Sequence, residues 1–113
     1  MPSTAKNGII QKQVEQLLFD LKRGFLQFVT LHIIAEKPRY AYEIKEEILK
    51  LTRGSFDIDR NNLYKKLRVL EKDGILKSHL KPSQQGADRK YYAITPFGKK
   101  LFEEMYHWVI FGS

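Results

Sequence analysis

The chain has 113 residues, 42% of them hydrophobic, which is enough for one modest core and gives no expectation of a second domain. Its 20 Lys and Arg residues outnumber its 13 Asp and Glu residues, and the formal charge of +7 favours an anionic partner such as nucleic acid or an acidic membrane. The lack of cysteine excludes disulfides, thiolate metal sites and cysteine nucleophiles, and no apolar run is long enough for a membrane span or a secretory signal, so we expect a cytoplasmic protein.

The N-terminal region divides into a tail and a helix. Residues 1–8 are small and polar and have no periodic pattern, which predicts a flexible tail. Over residues 9–22 apolar side chains recur at helical spacing while polar side chains fill the other faces, which predicts a helix with one apolar stripe. The N-terminal stripe consists of Ile10, Val14, Leu17 and Leu21.

A second helix is predicted from Phe25 to Ala35, where the sequence FLQFVTLHIIA is apolar on nearly every face and therefore fits burial on most sides. Gly24, between the two helices, indicates a bend or a close approach. Pro38 ends the second helix, because proline cannot donate the hydrogen bond that a continuing helix would need.

Two further helices are predicted before residue 74. The apolar face of the first of them consists of Tyr40, Ile44, Ile48 and Leu51. Arg53 and Gly54 end that helix. Asp59 is then placed to accept hydrogen bonds from the free backbone N–H groups of the next helix, which begins near Arg60.

Residues 75–94 predict a β-hairpin. The extended segments ILKSHLKP and RKYYAI flank the turn-rich segment SQQGAD, so we expect two strands with a long polar tip. Thr95 followed by Pro96 is typical of a helix start, and the pattern from Phe97 to Phe111 predicts a last helix. The predicted order is therefore four helices, two strands and one helix.

The helix that begins near Arg60 has two distinct faces. At about 100° per residue, Leu63, Leu67 and Leu70 converge on one side. The opposite side is polar, with Tyr64 flanking it, and consists of Asn61, Lys65, Arg68 and Lys72. Such a helix can bury its leucines while it presents to the DNA major groove the residue types that bind bases and phosphates.

The alternative interpretation of the polar face is an ordinary solvated helix surface, which is what charged runs usually are. The distribution of charge argues against it. From Arg60 to Lys90 nine cations accompany three anions, so this segment carries +6 of the total of +7. The helix and the hairpin together form the electropositive part of the chain, as expected of a surface that displaces counterions from a duplex.

The hairpin completes the predicted DNA-binding surface. Lys81, Arg89 and Lys90 are expected to contact phosphate or the adjacent minor groove, with Gln84 and Gln85 adding hydrogen bonds. A polar hairpin can also be a simple connection, so we rank it below the helix face. The predicted DNA-binding residues are Arg60, Asn61, Tyr64, Lys65, Arg68, Lys72, Lys81, Arg89 and Lys90.

Three blocks of the sequence resemble the PadR-like transcriptional regulators. RGFLQFVTLHIIAEKPRYAYEIKEEI resembles that family's opening two helices, NNLYKKLRVLEKDGIL its recognition helix, and GADRKYYAITPFGKKLF its wing and the start of its final helix. Together the blocks cover most of residues 23–102. The resemblance implies a winged-helix repressor that binds operator DNA as a two-fold dimer.

Individual residues match the same family. Tyr42 and Glu43 resemble its tyrosine-glutamate pair in the second helix, Tyr64 its recognition-helix tyrosine, and residues 89–92 its wing strand. One short helix follows the wing, as in a compact subfamily that dimerises through its terminal helix and an N-terminal helix. The expected fold is therefore α+β and mainly α, a winged helix-turn-helix with flanking N- and C-terminal dimerisation helices.

The last predicted helix carries more apolar surface than one side of a small domain needs. Phe97 and Leu101 are expected to pack on the chain's own core, whereas the side chains nearer Phe111 fit a partner surface. The N-terminal stripe is the expected counterpart of that surface. The predicted dimer interface consists of Ile10, Val14, Leu17, Leu21, Met105, Trp108 and Val109.

The expected organisation of the chain follows from these elements. It comprises a tail over residues 1–8, a dimer-contact helix over 9–22, a winged-helix domain over 23–94 and a C-terminal dimerisation helix over 95–113. Trp108 is also a candidate effector-binding residue, because a tryptophan of the last helix lines a hydrophobic pore in some members that the chain resembles. The alternative interpretation is that Trp108 is a packing anchor, which a lone tryptophan more often is. The effector would be small and hydrophobic or aromatic.

Catalysis is not expected. His32, His79 and His107 fall on three predicted elements without a shared ligand spacing, and the sequence has no phosphate loop, paired acid motif or nucleophile elbow. No metal or cofactor is expected, and His32 is assigned to the core or an interface. The alternative function is a winged-helix module that grips an acidic protein partner with its basic hairpin.

Overall fold

The computed structural model describes residues 8–112 as four helices and a three-stranded antiparallel sheet. The elements are α1 (Gly8–Glu36), β1 (Arg39–Tyr40), α2 (Ala41–Leu51), α3 (Arg60–Lys72), β2 (Leu76–Ser83), β3 (Gly86–Ile94) and α4 (Pro96–Phe111). β3 is the central strand, with β1 on one side and β2 on the other. The expected winged-helix fold of the mainly helical α+β class is confirmed.

α1 is one continuous helix of 29 residues, so the prediction of two helices separated at Gly24 is wrong. Nothing lies within 4 Å of the place where a Cβ of Gly24 would be, so this glycine marks no close approach. A glycine costs a helix only about 1 kcal/mol, which the helix-forming residues around it offset. Gly8 belongs to α1, and residues 1–7 of the predicted tail lie outside the described residues.

The two-residue strand β1 is missing from the sequence prediction, because so short a strand has no periodic pattern. It pairs with β3, where Tyr40 lies opposite Tyr91. Arg39 is buried, and its Nε donates a hydrogen bond to the carbonyl oxygen of Ile33 at 3.2 Å. Its guanidinium also lies 3.7 Å from the carboxylate of Glu47. β1 therefore ties the corner between α1 and α2 to the sheet.

The core forms where the C-terminal half of α1, α2, α3 and the base of the β2–β3 hairpin meet. The predicted face of α2 is buried at Ile44 and Ile48, but Leu51 is exposed, because α2 ends at that residue and the chain turns away. The most fully buried side chains are Leu31, Ile33, Ile34, Ile44, Ile48, Leu63, Leu67, Leu70 and Leu76.

α3 begins directly after Asp59, as predicted, but the Asp59 side chain makes no capping hydrogen bond. Its backbone carbonyl oxygen accepts instead from the Leu63 N–H at 2.9 Å. Asp59 is exposed, so water competes for its carboxylate, and the expected side-chain cap is wrong.

The β2–β3 hairpin has a short tip, and the predicted long polar tip over residues 83–88 is wrong. Ser83 pairs with Gly86, which leaves Gln84 and Gln85 as the turn. Gly86 has a φ of 140°, a conformation that side chains rarely adopt. The pairing shifts between Lys81 and Ser83, around a proline that cannot donate to the ladder. The strands therefore extend almost to the end of the hairpin.

α4 is attached to the rest of the fold at its first turn. The Thr95 hydroxyl accepts from the Gly98 N–H at 2.9 Å and donates to the Gly74 carbonyl oxygen at 2.6 Å, so the predicted cap is confirmed. Leu101 packs partly buried against the core, as expected. Phe97 is 58% exposed, and its expected core contact is wrong because Gly98, not Phe97, faces the backbone of Ile75.

His32 lies on the surface of α1 beside α4. Its side chain is 46% exposed and its ring centroid is 6.4 Å from that of Phe102. Its placement in the core is therefore wrong, and its placement in an interface stays a prediction.

The close contact at Gly98 gives a test of the α4 attachment. A Cβ at this position would overlap the Ile75 carbonyl oxygen, so Gly98→Ala should lower the free energy of unfolding by about 1–3 kcal/mol. Gly24→Ala is the matched control, and it should raise the stability by up to about 1 kcal/mol because it adds a better helix former to an open position. Urea unfolding measures both, and an equal loss in the two variants would contradict the description.

Candidate nucleic-acid interface

α3 separates a buried apolar face from an exposed polar face. Leu63, Leu67 and Leu70 are at most 1% exposed and pack into the core. The polar side chains on the other face, all exposed, are Asn61, Lys65, Arg68 and Lys72. The structure thus gives α3 the orientation that its sequence pattern predicts.

The cations on the polar face of α3 form no ion pairs with the described residues. Within residues 8–112, neither Lys65 nor Arg68 nor Lys72 has a carboxylate at ion-pair distance. Tyr64 flanks this face with 40% of its surface exposed. The face therefore presents positive charge and hydrogen-bond donors to the surroundings.

A cleft of about 490 Å³ separates α3 from the hairpin and the start of α2, and we call it the α3–hairpin cleft. Arg60 and Tyr64 enter it from α3, and Arg89 and Lys90 enter it from β3. The fold thus brings four of the predicted residues together although they are separated by up to 30 positions in the chain.

Aromatic rings support two of the hairpin cations. The guanidinium carbon of Arg89 lies 4.5 Å from the ring centroid of Tyr40, and the Nζ of Lys81 lies 4.9 Å from that of Tyr91. Lys81 and Arg89 also lie opposite each other in the β2–β3 register, so their side chains share one face of the hairpin. A cation stacked on an aromatic ring keeps its charge but loses conformational freedom. Less entropy is therefore lost when an anion binds to this face.

Lys90 lies on the other face of the hairpin and holds it to α3. Its Nζ is 3.7 Å from the carboxylate of Glu71, which also accepts a hydrogen bond from Ser78. Tyr92, next on the same face, is buried, and burial raises the pKa of its phenol, with Lys90 acting in the opposite direction. Lys90 is thus already partnered, unlike Lys65 on α3.

Sequence reasoning missed part of this surface. Tyr40, Tyr42 and Lys45 also line the α3–hairpin cleft, and the first two rings are stacked at 6.3 Å. Tyr40 comes near Arg89 because β1 pairs with β3, and so short a strand left no signal in the sequence. The resemblance in the sequence did mark Tyr42, without indicating a position beside the hairpin.

The predicted dimer residues are largely uncovered in the single chain. Leu17 is 66% exposed and Trp108 62% exposed, and Ile10, Leu21 and Val109 are exposed as well. Val14 and Met105 are half-buried. These side chains therefore form apolar surface that residues 8–112 leave largely uncovered.

Residues 8–112 contain no group of three His, Cys, Asp or Glu side chains that could hold a metal ion. None of the helices they form is long and apolar enough to cross a membrane.

Comparison with known proteins identifies relatives over most of the chain. The sequence profile of the transcriptional regulator PadR-like family matches residues 30–104. An uncharacterized protein of Lysinibacillus sphaericus is 40% identical over 86 residues, which are 76% of this chain and 79% of the relative.

Solved structures share the fold. A transcriptional regulator from Clostridium thermocellum is 32% identical, with a TM-score of 0.70 over 80% of this chain and 86% of its own. Bacillus subtilis PadR, in a complex with operator DNA, is 16% identical, with a TM-score of 0.64 over 72% of this chain and 46% of its own. The second likeness shows a common fold.

Proposed function

The chain belongs to the transcriptional regulator PadR-like family, and from that premise we propose that it binds double-stranded DNA sequence-specifically and represses transcription as a homodimer in the cytoplasm. The single observation that carries the proposal is the exposed polar face of α3 beside the cationic hairpin. Members of this family are transcriptional regulators and not enzymes.

The residues of the polar face suit the reading of a major groove. Arg68 can bind guanine through two hydrogen bonds, Asn61 can bind adenine, and Lys65 can hold phosphate. The groove is wide enough for one α-helix, so α3 can enter it with its leucines turned toward the protein core. Bacillus subtilis PadR, which shares the fold, was solved with operator DNA, and this supports the same partner for this chain.

The hairpin completes the proposed contact with DNA. Lys81 and Arg89 share one face and hold their charge over aromatic rings, which suits contact with the backbone phosphates or the minor groove. Lys90 is held by Glu71 and contributes mainly by setting the position of the hairpin on α3. We therefore assign base recognition to α3 and sequence-independent contacts to the hairpin.

The proposed homodimer rests on the N-terminal half of α1. Nearly every residue from Gly8 to Phe25 is exposed, so the described part of the chain covers little of this half of the helix. Helix α1 is about 43 Å long at 1.5 Å per residue. A second copy would cover the N-terminal stripe and the end of α4, and a two-fold pair would place two α3 helices about one DNA turn apart on a pseudo-palindromic operator.

A small hydrophobic or aromatic effector is the finer part of the proposal. A groove of about 480 Å³ on α4, which we call the α4 groove, is lined by Phe97, Leu101, Met105 and Trp108. Its walls are almost entirely apolar, and the exposed indole can stack on a planar ligand. Binding there would couple the ligand to the dimer surface.

DNA binding is tested by titrating the chain with a duplex from its own upstream promoter region and with a scrambled duplex at two salt concentrations. The promoter duplex should bind more tightly, and log K should fall with log salt with a slope of about −6 to −10, because several phosphates are neutralised. Weak binding that is equal for both duplexes would favour the alternative function, a module for an acidic protein partner.

Base recognition by α3 and sequence-independent contact by the hairpin can be tested separately with two variants. Arg68→Ala should lower affinity for the promoter duplex by about 1–3 kcal/mol and relax base preference, because it removes a base contact. Lys81→Ala should weaken the promoter and scrambled duplexes alike, because it removes a phosphate contact. Equal losses on both duplexes for both variants would contradict the assignment.

The homodimer predicts a solution mass of twice the 13.3 kDa chain mass in sedimentation velocity. Leu17→Glu should shift the population toward monomer, because it places a charge in an apolar interface. Leu51→Glu, at an exposed position on the end of α2, is the matched control and should leave the mass unchanged. A monomeric wild-type chain would refute the dimer.

The effector site is tested with the fluorescence of Trp108, the single tryptophan of the chain. Planar aromatic cations should quench it with saturable dependence on concentration, and Met105→Arg should abolish the saturation because it places a like charge in the groove. An unchanged spectrum across a broad panel would remove the site from the proposal.

A further inference from the structure

A second large cleft opens between the middle of α1 and the side of α3, and we call it the α1–α3 cleft. Its volume is about 620 Å³. Phe19 and Leu26 line it from α1, Ile58 from the connector before α3, and Val69 and Leu70 from α3. Ile58 and Leu70 are buried core residues, so the floor of the cleft is apolar and continuous with the core.

The rim of the α1–α3 cleft is strongly cationic. Lys22 and Arg23 reach it from α1, and Lys65 and Lys66 reach it from α3, whereas no Asp or Glu lines it. In the part of the chain from Gly8 to Gly112, none of these four cations has a carboxylate at ion-pair distance. Four cationic side chains thus converge on one apolar cavity without a counter-charge from the described residues.

The surroundings of Lys66 in the cleft change its pKa. It is half-buried, and burial, followed by the charge of Arg23, lowers the pKa of its ammonium group. Both effects disfavour the charged form of Lys66 in the empty cleft. An anion in the cleft would supply the opposite charge that both side chains lack.

The α1–α3 cleft is separate from the two surfaces described above for dimerisation and for an effector. At about 100° per residue, its α1 residues lie roughly 160° around the helix from the N-terminal stripe. It also shares no residue with the α4 groove. Neither a second copy on the stripe nor a ligand at Trp108 would therefore fill it.

We propose that the α1–α3 cleft binds a small amphipathic carboxylate, with the carboxylate between Arg23 and Lys66 and the apolar tail on the floor formed by Ile58 and Leu70. The volume falls in the range of small-molecule sites, which combine apolar walls with a few placed polar groups. DNA phosphates would use the cations but leave the apolar floor exposed, so the combination favours a carboxylate with a tail. This inference goes beyond the proposed DNA-binding function and does not depend on it.

The test is calorimetric titration of the full chain, without DNA, using decanoate as the probe. Decanoate should bind with one site per chain, whereas decanol, which lacks the charge, should bind at least tenfold more weakly. Lys66→Gln and Arg23→Gln should each weaken decanoate binding about tenfold, the size expected for the loss of one charged hydrogen bond. Lys100→Gln, which removes a cation beside the α4 groove, is the matched control and should leave the affinity unchanged.

The outcomes separate the cleft from other apolar surfaces. Arg23 is exposed, so Arg23→Gln keeps the test valid even if the half-buried Lys66 tolerates no change. Absence of decanoate binding, equal affinity for decanol, or a loss confined to Lys100→Gln would each overturn the proposal. Because no duplex is present, such a failure would leave the DNA-binding proposal untouched.

Discussion

The burial of three leucines of α3 is the constraint on which the proposed function depends. A fully buried leucine contributes about 1.5–3 kcal/mol, so Leu63, Leu67 and Leu70 together resist any rotation of the helix about its axis. Half a turn would expose these side chains and force Lys65 and Arg68 into the core without partners, at a high desolvation cost. The same apolar contacts that stabilise the fold therefore keep the cationic face of α3 outward.

The hairpin takes its position from α3 and from the corner after α1. Glu71 holds Lys90 and Ser78, Tyr92 is buried in the core, and the short strand β1 pairs with β3 on the far side. The hairpin is thus anchored on both sides at its base, while Lys81 lies further out on a face with Arg89. α3 and the hairpin form one surface because both pack on the same core.

The periodicity of the sequence predicted helix faces and helix caps, which depend on neighbouring residues. It did not predict the contacts between segments that are far apart in the chain. The leucine face of α3 and the cap at Thr95 follow from local rules, so both were found. One local feature, the continuity of α1, was also missed, because the free-energy cost of Gly24 in a helix is smaller than the combined helix propensity of its neighbours. The α1–α3 cleft could not be predicted, because Arg23 and Lys66 are brought together only by packing of two helices far apart in the sequence.

The outward orientation of α3 in a complex with DNA is tested most directly by lysine modification with and without a promoter duplex, followed by mass spectrometry. Lys65 and Lys72 lie on the exposed face of α3, so the duplex should protect both from acetylation. Lys50, at the end of α2 beside Glu47, should react equally in both samples. Unchanged reactivity of Lys65 and Lys72 in a saturated complex, or protection of Lys50 to the same extent, would contradict the account.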